Sequence, residues 1–548
     1  MLIAIVFFIY TFITCFYTGK LVSEKLLKVS FDNQFHYIGI GIISITAIGR
    51  VLSLFITVSW IFQIGILQMT IASVRNGKDG FIPNFIKNNK LLLAIALIII
   101  GFFCSQQSIS YDEALYHSSF IAWLNDYGIV KGLGNLHGRL AFDSNWHLFD
   151  AIYNFKGLLN QPLNIINGFF LLWILCFFLN ERAIRMSDES VKTLSVLAII
   201  FLFFPVVFVY HVIDPSADYV SIFWTFLLLY EVYFFRAKNS HSSMLALVGI
   251  TVIFLITIKL SVAILVLLGL SIFIDFKATK KYLLPICIIA CVIVLPWLAS
   301  NYLISGYIVY PYININALHP IWKVPDAIAA HEMVGIQYAP FGRWLGMDLD
   351  TVKQLDALTR YKLFLVKLRT PDKLMLFAPS VLFLFALLKS LKKEQGDLYK
   401  GLAILTAFAG YVIVLVSAPD FRFAAGYIYF ILVVVLIKVR FRIPIVVAYL
   451  ACVAQILVAV KLYAHLKPLV VNPSTHRSNG ITFNFMLPEK YPHCPHSTTV
   501  IDGQSFYLFN EQMAQFNWDE IPAMYTPANN IHLIGGTLKE GFYTRPSK

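Results

Sequence analysis

The chain has 548 residues, 58% of them hydrophobic and only 13% charged, with a mean hydropathy of +0.73, whereas soluble domains average about 25% charged residues. A formal net charge of +13 would point to nucleic acid in a soluble protein, but here the basic residues sit mainly in short loops between apolar runs and report topology, so no nucleic-acid partner is expected. The seven cysteines lie mostly inside apolar runs and form no CxxC pair, which argues against a disulfide framework and against a thiolate metal site.

Apolar runs of roughly 17 to 25 residues, the length that spans a ~30 Å hydrocarbon core, recur along the chain. Candidate spans are 2–18, 37–54, 55–74, 91–105, 163–180, 193–210, 219–235, 243–258, 260–275, 282–303, 374–388, 401–417, 423–437 and 443–463. The expected fold is therefore an all-α polytopic membrane protein with about fourteen transmembrane helices. The N-terminal run lacks a basic leader and a small-residue cleavage site and reads as a retained first helix. Residues 37–74 and 243–275 are each too long for one helix and read as tight hairpins.

Loop charge fixes an expected orientation. With Lys20, Lys25 and Lys28 in the cytoplasm, alternation puts Arg75, Lys78, Lys87 and Lys90 there, then Arg182, Arg185 and Lys192, and the later basic loops, while 211–218 carries no Lys or Arg. Segments 105–162, 211–218, 305–370, 417–422 and everything after about 463 then lie outside. The tail, 466–548, is polar with proline-bounded apolar runs, and reads as a small outer domain of mixed or β-rich structure.

The polar loop 111–153 gathers most of the candidate chemistry. From Asp112 it reads as a helix to Tyr127, stopped by Gly128. Tyr116, Phe120, Trp123, Leu124 and Tyr127 form one aromatic stripe suited to a membrane interface. Glu113 and His117, at i and i+4, share a neighbouring face, and Asp112 opens the helix, where an acid also serves as an ordinary cap. Next, Gly132-Leu-Gly-Asn-Leu-His137-Gly-Arg139 has glycines that allow a backbone to approach a ligand and an arginine able to clamp phosphate; a plain tight turn is the alternative. Asp143 or Ser144 caps a second amphipathic helix bearing Trp146, Phe149 and Tyr153.

Further along, Asp214 and Asp218 sit in a short loop with no base, as helix caps or as ligand-facing acids. Lys259 interrupts a hydrophobic run, where a lysine either snorkels or meets an anion. Arg422 stands beside Asp420 at the mouth of a helix, as a local ion pair or a second phosphate partner. His493-Cys-Pro-His496 lacks a second ligand pair and reads as an ordinary loop.

Together these features resemble the GT-C superfamily of integral-membrane glycosyltransferases that use polyprenyl-phosphate-linked sugars. The first large outer loop of that superfamily opens with an acidic residue and folds as two interfacial helices, the layout of Asp112-Glu113 and of the helices around 116–127 and 143–153. Asp214 and Asp218 match its second acidic position, and Lys259-Leu-Ser261 and Ser305-Gly-Tyr-Ile-Val-Tyr-Pro311 look like its segments. The string 132–139 and the end of the tail, from Trp518 through Phe542, are similar to a bacterial membrane-protein family of that group.

The resemblance implies three parts: extra N-terminal helices in 1–90, a GT-C-like catalytic domain in 91–465 and an extracytoplasmic domain in 466–548. It implies an inverting glycosyltransferase in the bacterial cytoplasmic membrane, with the site on the outer face. Asp112 or Glu113 would be the general base, and the phosphate would lie near Lys259, Arg422 and Arg139. His117, His137, Asp214 and Asp218 would line the substrate site. The acceptor would be a glycan, lipid or protein, and a Mg or Mn ion held by Asp112, Asp214 or Asp218 is an optional cofactor. The alternatives are a polymerase or ligase of lipid-linked glycans and a transporter or flippase; the gathering of ionisable groups on one face argues against transport.

Overall fold

A computed structural model describes residues 1–75, 80–184, 189–234, 241–274, 276–315, 318–390, 398–438, 444–471, 481–490, 496–509, 520–524 and 530–545. Lys78, Arg185 and 493–495 of the His-Cys-Pro-His string fall outside them.

The protein is mostly helical. Eight helices are long and apolar enough, by length and composition, to cross a membrane, and four shorter apolar helices accompany them among the described residues. The long or site-bearing helices are α1 (Leu2–Leu21), α2 (His36–Ser53), α3 (Trp60–Arg75), α4 (Phe81–Phe103), α5 (Ser118–Asp126), α6 (Asn145–Tyr153), α7 (Ile166–Ile184), α8 (Ala217–Tyr233), α9 (His241–Ile258), α10 (Phe276–Ser305), α11 (Asp326–Leu345), α12 (Thr370–Ser390), α13 (Leu398–Ser417), α14 (Phe421–Lys438) and α15 (Ile445–Val471).

Several runs depart from the sequence expectation for local reasons. The run 193–210 is split into helices Glu189–Leu202 and Pro205–His211, because Pro205 has no N–H to continue the ladder and takes the first helical position of a new segment. The run 260–275 begins as a six-residue 3-10 helix, Leu260–Leu265, followed by two four-residue helical turns. α4 begins ten residues before the expected start at 91, since its first turns carry the polar residues Asn84, Lys87, Asn88 and Lys90 that hide it from an apolar-run reading.

One end of the bundle holds every element that matters below. The α2–α3 connection touches the first polar loop, with Val58 N–H bonded to the Leu124 carbonyl at 3.0 Å. The segment 481–490 crosses the same end: Leu2 N–H donates to the Phe485 carbonyl, Glu489 N–H to the Ser105 carbonyl, and Lys467 pairs with Glu489 at 2.7 Å. The tail then forms an antiparallel hairpin, β1 (Ser497–Ile501) with β2 (Gln504–Leu508), closed by Asp502-Gly503, both at positive φ as such a two-residue turn requires. β3 (Ala523–Met524) adds parallel to β2, and β4 (Ile531–Leu533) pairs with β5 (Phe542–Thr544).

The Gly-rich string 132–139 is the joint between that tail and the bundle. Gly132 has φ +64°, and a Cβ there would come within 2.0 Å of the Phe542 carbonyl. Phe542 N–H bonds to the Lys131 carbonyl, and Asn135 bonds to Thr544 Oγ1 at 2.7 Å and to the Trp322 carbonyl at 3.0 Å. The string closes a long-range contact that local sequence does not announce.

Candidate functional site

The loop following α4 begins with an irregular turn, Glu113–His117, that runs into α5. The helix ends as expected: Gly128, at φ +78°, donates its N–H to the Trp123 carbonyl. The aromatic stripe is not laid in an open interface. Phe120, Trp123 and Leu124 are buried, and Trp123 meets Phe542 of β5 edge-on. At Trp123 the cover is Phe542 of the tail, so the stripe is kept from bulk water by protein packing.

α6 is capped by Ser144, whose hydroxyl accepts from Trp146 N–H and donates to the Ile258 carbonyl at 2.9 Å, while Asn145 bonds Thr257 at 2.7 Å. These bonds fasten the loop to the end of α9, immediately before Lys259. Asp143 has a different role. It is buried against Arg50 of α2 at 2.8 Å, and Arg50 also donates to Asn145, Ser300 and the Ser144 carbonyl.

The sequence-derived residues separate into three neighbouring groups. The first is a crevice between helix ends. Asp218 stands on the first turn of α8, its N–H held by Ser216. Lys259 follows α9 in extended backbone, and Arg422 opens α14, its N–H held by Asp420 at 2.9 Å. The Asp218 carboxylate contacts the Lys259 ammonium with one oxygen and lies 3.6 Å from Arg422 with the other. Arg422 also pairs with Asp420 at 3.3 Å, and Asp420 reaches exposed Arg343 at 3.5 Å. Phe423 lies under both cations, 4.3 Å from Lys259 Nζ and 5.2 Å from the Arg422 guanidinium carbon. α14 reaches α8 closely because position 426 is glycine; a Cβ there would stand 2.5 Å from the Ile222 carbonyl.

The second group joins the first loop to α11. Arg139 pairs with Glu332 at 2.7 Å and lies over Phe142. His137 accepts from the Arg139 N–H, and burial, helped by that arginine, pushes its imidazole down to about 4. Asp112 is half-buried and acts electrostatically both on Arg139 and on Lys259. Burial and the Arg422 guanidinium draw the Lys259 ammonium down to about 7, against the pull of Asp112 and Asp420.

The third group is buried behind them. His117 bonds Asp214 at 2.9 Å, and its ring centroid lies 4.8 Å from that of His147. Glu113 is wholly buried and accepts from Ser118 and Asn164. Burial, with Asp214 as neighbour, holds its carboxyl well above the ordinary carboxylate range. Burial likewise raises Asp150, beside Asp214, and lowers His147 and His211. Asn167 ties the loop backbone together through the carbonyls of His211, Asp214 and Ser216.

The structure therefore unites Asp218, Lys259 and Arg422, and separately His117 with Asp214. It does not put Arg139 among the crevice cations, because Glu332 engages it. Asp214 bonds His117 while Asp218 bonds Lys259, and no three His, Cys, Asp or Glu side chains converge as a metal site among the described residues. Arg50, Glu332, Arg343 and Asp150 were not singled out from sequence. Arg50 did carry a signal, a cation inside an apolar run; Glu332 carried none.

These features define a multi-pass helical membrane protein with an alternating-charge crevice at one end of its bundle. A family profile described as "Domain of unknown function (DUF8201)" matches residues 1–429, and the chain belongs to that family. No curated protein matches the chain. No solved structure matches it.

Proposed function

We propose that the protein is a glycosyltransferase that moves a sugar from a polyprenyl-phosphate-linked donor to an acceptor hydroxyl, within a GT-C-like arrangement of about fourteen spans. In this reading the site and the tail face the outside of a bacterial cytoplasmic membrane. The observation that carries it is the meeting of Lys259 and Arg422, far apart in sequence, in one crevice beside the acidic loop. Two cations over an aromatic ring at helix ends suit a phosphodiester whose lipid tail stays in the bilayer.

Asp112 is the better base of the two adjacent acids. It is half-buried, so an acceptor can reach it, whereas Glu113 is enclosed and burial holds its carboxyl well above the ordinary carboxylate range. In the proposed reaction Asp112 takes the acceptor hydroxyl proton as that oxygen attacks the anomeric carbon. The bond from that carbon to the phosphate oxygen breaks, its electron pair leaves with the phosphate, and Lys259 and Arg422 stabilise the departing charge. One displacement inverts the configuration. Arg139, engaged by Glu332, orders the loop that carries Asp112 in this scheme.

Donor binding tests the reading. In lipid nanodiscs, a polyprenyl-phosphate hexose should bind the wild-type protein and bind Lys259→Met and Arg422→Ala at least about tenfold more weakly, since each loses a charge-assisted contact. Equal affinity for all three proteins would remove the basis of the assignment.

A further inference from the structure

The crevice is occupied by the protein itself. Asp218 spans Lys259 and Arg422 with its two oxygens, as a phosphodiester with two free oxygens would. The remaining free space is about 10 Å³, room for a single water. A phosphate cannot share the cations with this carboxylate in place; it must take the carboxylate's position.

Arg343, Asp420, Arg422, Asp218 and Lys259 form an alternating series of three cations and two carboxylates, and Asp112 adds a third negative charge that acts on Lys259. With Asp218 moved aside, Lys259 and Arg422 would lack one negative charge, which a singly charged phosphodiester restores. Released, Asp218 would remain on the first turn of α8, where the helix end favours an anion.

The wall of the crevice offers more than the cations. Thr225, about two turns beyond Asp218, and Tyr427, little more than one turn beyond Arg422, line it; both are 1% exposed, and neither hydroxyl finds a hydrogen-bond partner among the described residues. Buried hydroxyls are normally paired, so two orphans beside a crevice mark donors for an incoming oxygen.

We propose that Asp218 is an internal stand-in for the ligand phosphate: it holds Lys259 and Arg422 in the free protein and is displaced when a phosphodiester or phosphate monoester enters. Its carboxylate excludes weakly binding anions, because only a group that engages both cations repays its displacement. The proposal rests on the reading that the crevice takes phosphate.

The two claims separate in one experiment. Wild type, Asp218→Asn, Lys259→Met and the double variant are titrated in nanodiscs with a synthetic polyprenyl phosphate and, in a parallel arm, with inorganic phosphate. Removing the competing charge should tighten polyprenyl phosphate binding by about tenfold in Asp218→Asn. Lys259→Met should weaken it, and the double variant should bind as weakly as Lys259→Met. Tightening in both arms assigns recognition to the phosphate group alone, and tightening with polyprenyl phosphate only assigns it to the lipid phosphate; either supports the exchange. If Asp218→Asn binds no better or binds worse while Lys259→Met weakens binding, the stand-in is wrong and the phosphate crevice stands. If Lys259→Met binds as wild type does, the phosphate reading fails and takes the stand-in with it. Asp218→Ser, a smaller neutral replacement, gives the same comparison should Asp218→Asn fail to fold.

Discussion

Replacing Arg50 with methionine should destabilise the protein severely, although Arg50 touches no proposed substrate. Its side chain is wholly buried and makes four hydrogen bonds, to Asp143, Asn145, Ser300 and the Ser144 carbonyl. Asp143 depends on it: the second carboxylate oxygen of Asp143 has no partner among the described residues. Methionine fills much of the volume but leaves that carboxylate buried and uncompensated, a loss of about 3–5 kcal/mol. Asp143→Asn alone should cost a similar amount by stranding the guanidinium. The double variant Arg50→Met/Asp143→Asn should cost less than the sum by at least about 2 kcal/mol, because no unpaired charge remains. Equilibrium unfolding in mixed micelles, followed by tryptophan fluorescence, gives all four corners of the cycle. Additive costs, or a near-neutral Arg50→Met, would show that the pair does not clamp α2 to the start of α6.

Three further outcomes follow from individual residues. Glu113 has a folded-state pKa above its ordinary value, so its contribution to stability is full at acid pH and is lost as pH rises through the folded value; Glu113→Gln should therefore match wild type in thermal unfolding near about pH 5 and exceed it near about pH 8.5, and the reverse order would mean that the buried group is ionised. A phosphodiester donor does not titrate near neutrality, so the fall in its affinity as pH rises through about 7 should report loss of the Lys259 proton, and Lys259→Arg should flatten that profile; a flat wild-type profile would contradict a lysine drawn down to that range. Gly132→Ala places a Cβ against the Phe542 carbonyl and should loosen the tail, read as faster proteolysis within 497–545, whereas unchanged protection would mean that the loop–tail joint is not structural.

Particular residues show which parts of this molecule are written locally. The end of α5 was legible because aromatic spacing and a following glycine are short-range signals, and Gly128 takes the positive φ they require. Lys259 was legible because a charge in an apolar run is costly wherever the chain folds. The division of Asp214 from Asp218 was not: four residues apart, they look alike in sequence, and only the packing of α5 and α14 gives one to His117 and the other to Lys259 and Arg422. The glycines at 132–139 advertised a close approach without saying to what, since their partner at Phe542 lies at the far end of the chain. Likewise Arg139 looked like a free clamp because Glu332, far along the chain on α11, leaves no local mark.

The proposed chemistry is tested most directly at Asp112. Purified protein in nanodiscs, supplied with radiolabelled polyprenyl-phosphate sugars and membranes of the source organism as acceptor, is followed through a single turnover. Wild type should transfer label from one donor of the panel, and Asp112→Asn should bind that donor unchanged yet transfer about 10²–10⁴-fold more slowly, the loss expected on removing a general base. Transfer by Asp112→Asn at the wild-type rate, or a wild-type protein that binds none of the donors, would contradict a carboxylate-assisted sugar transfer at this site.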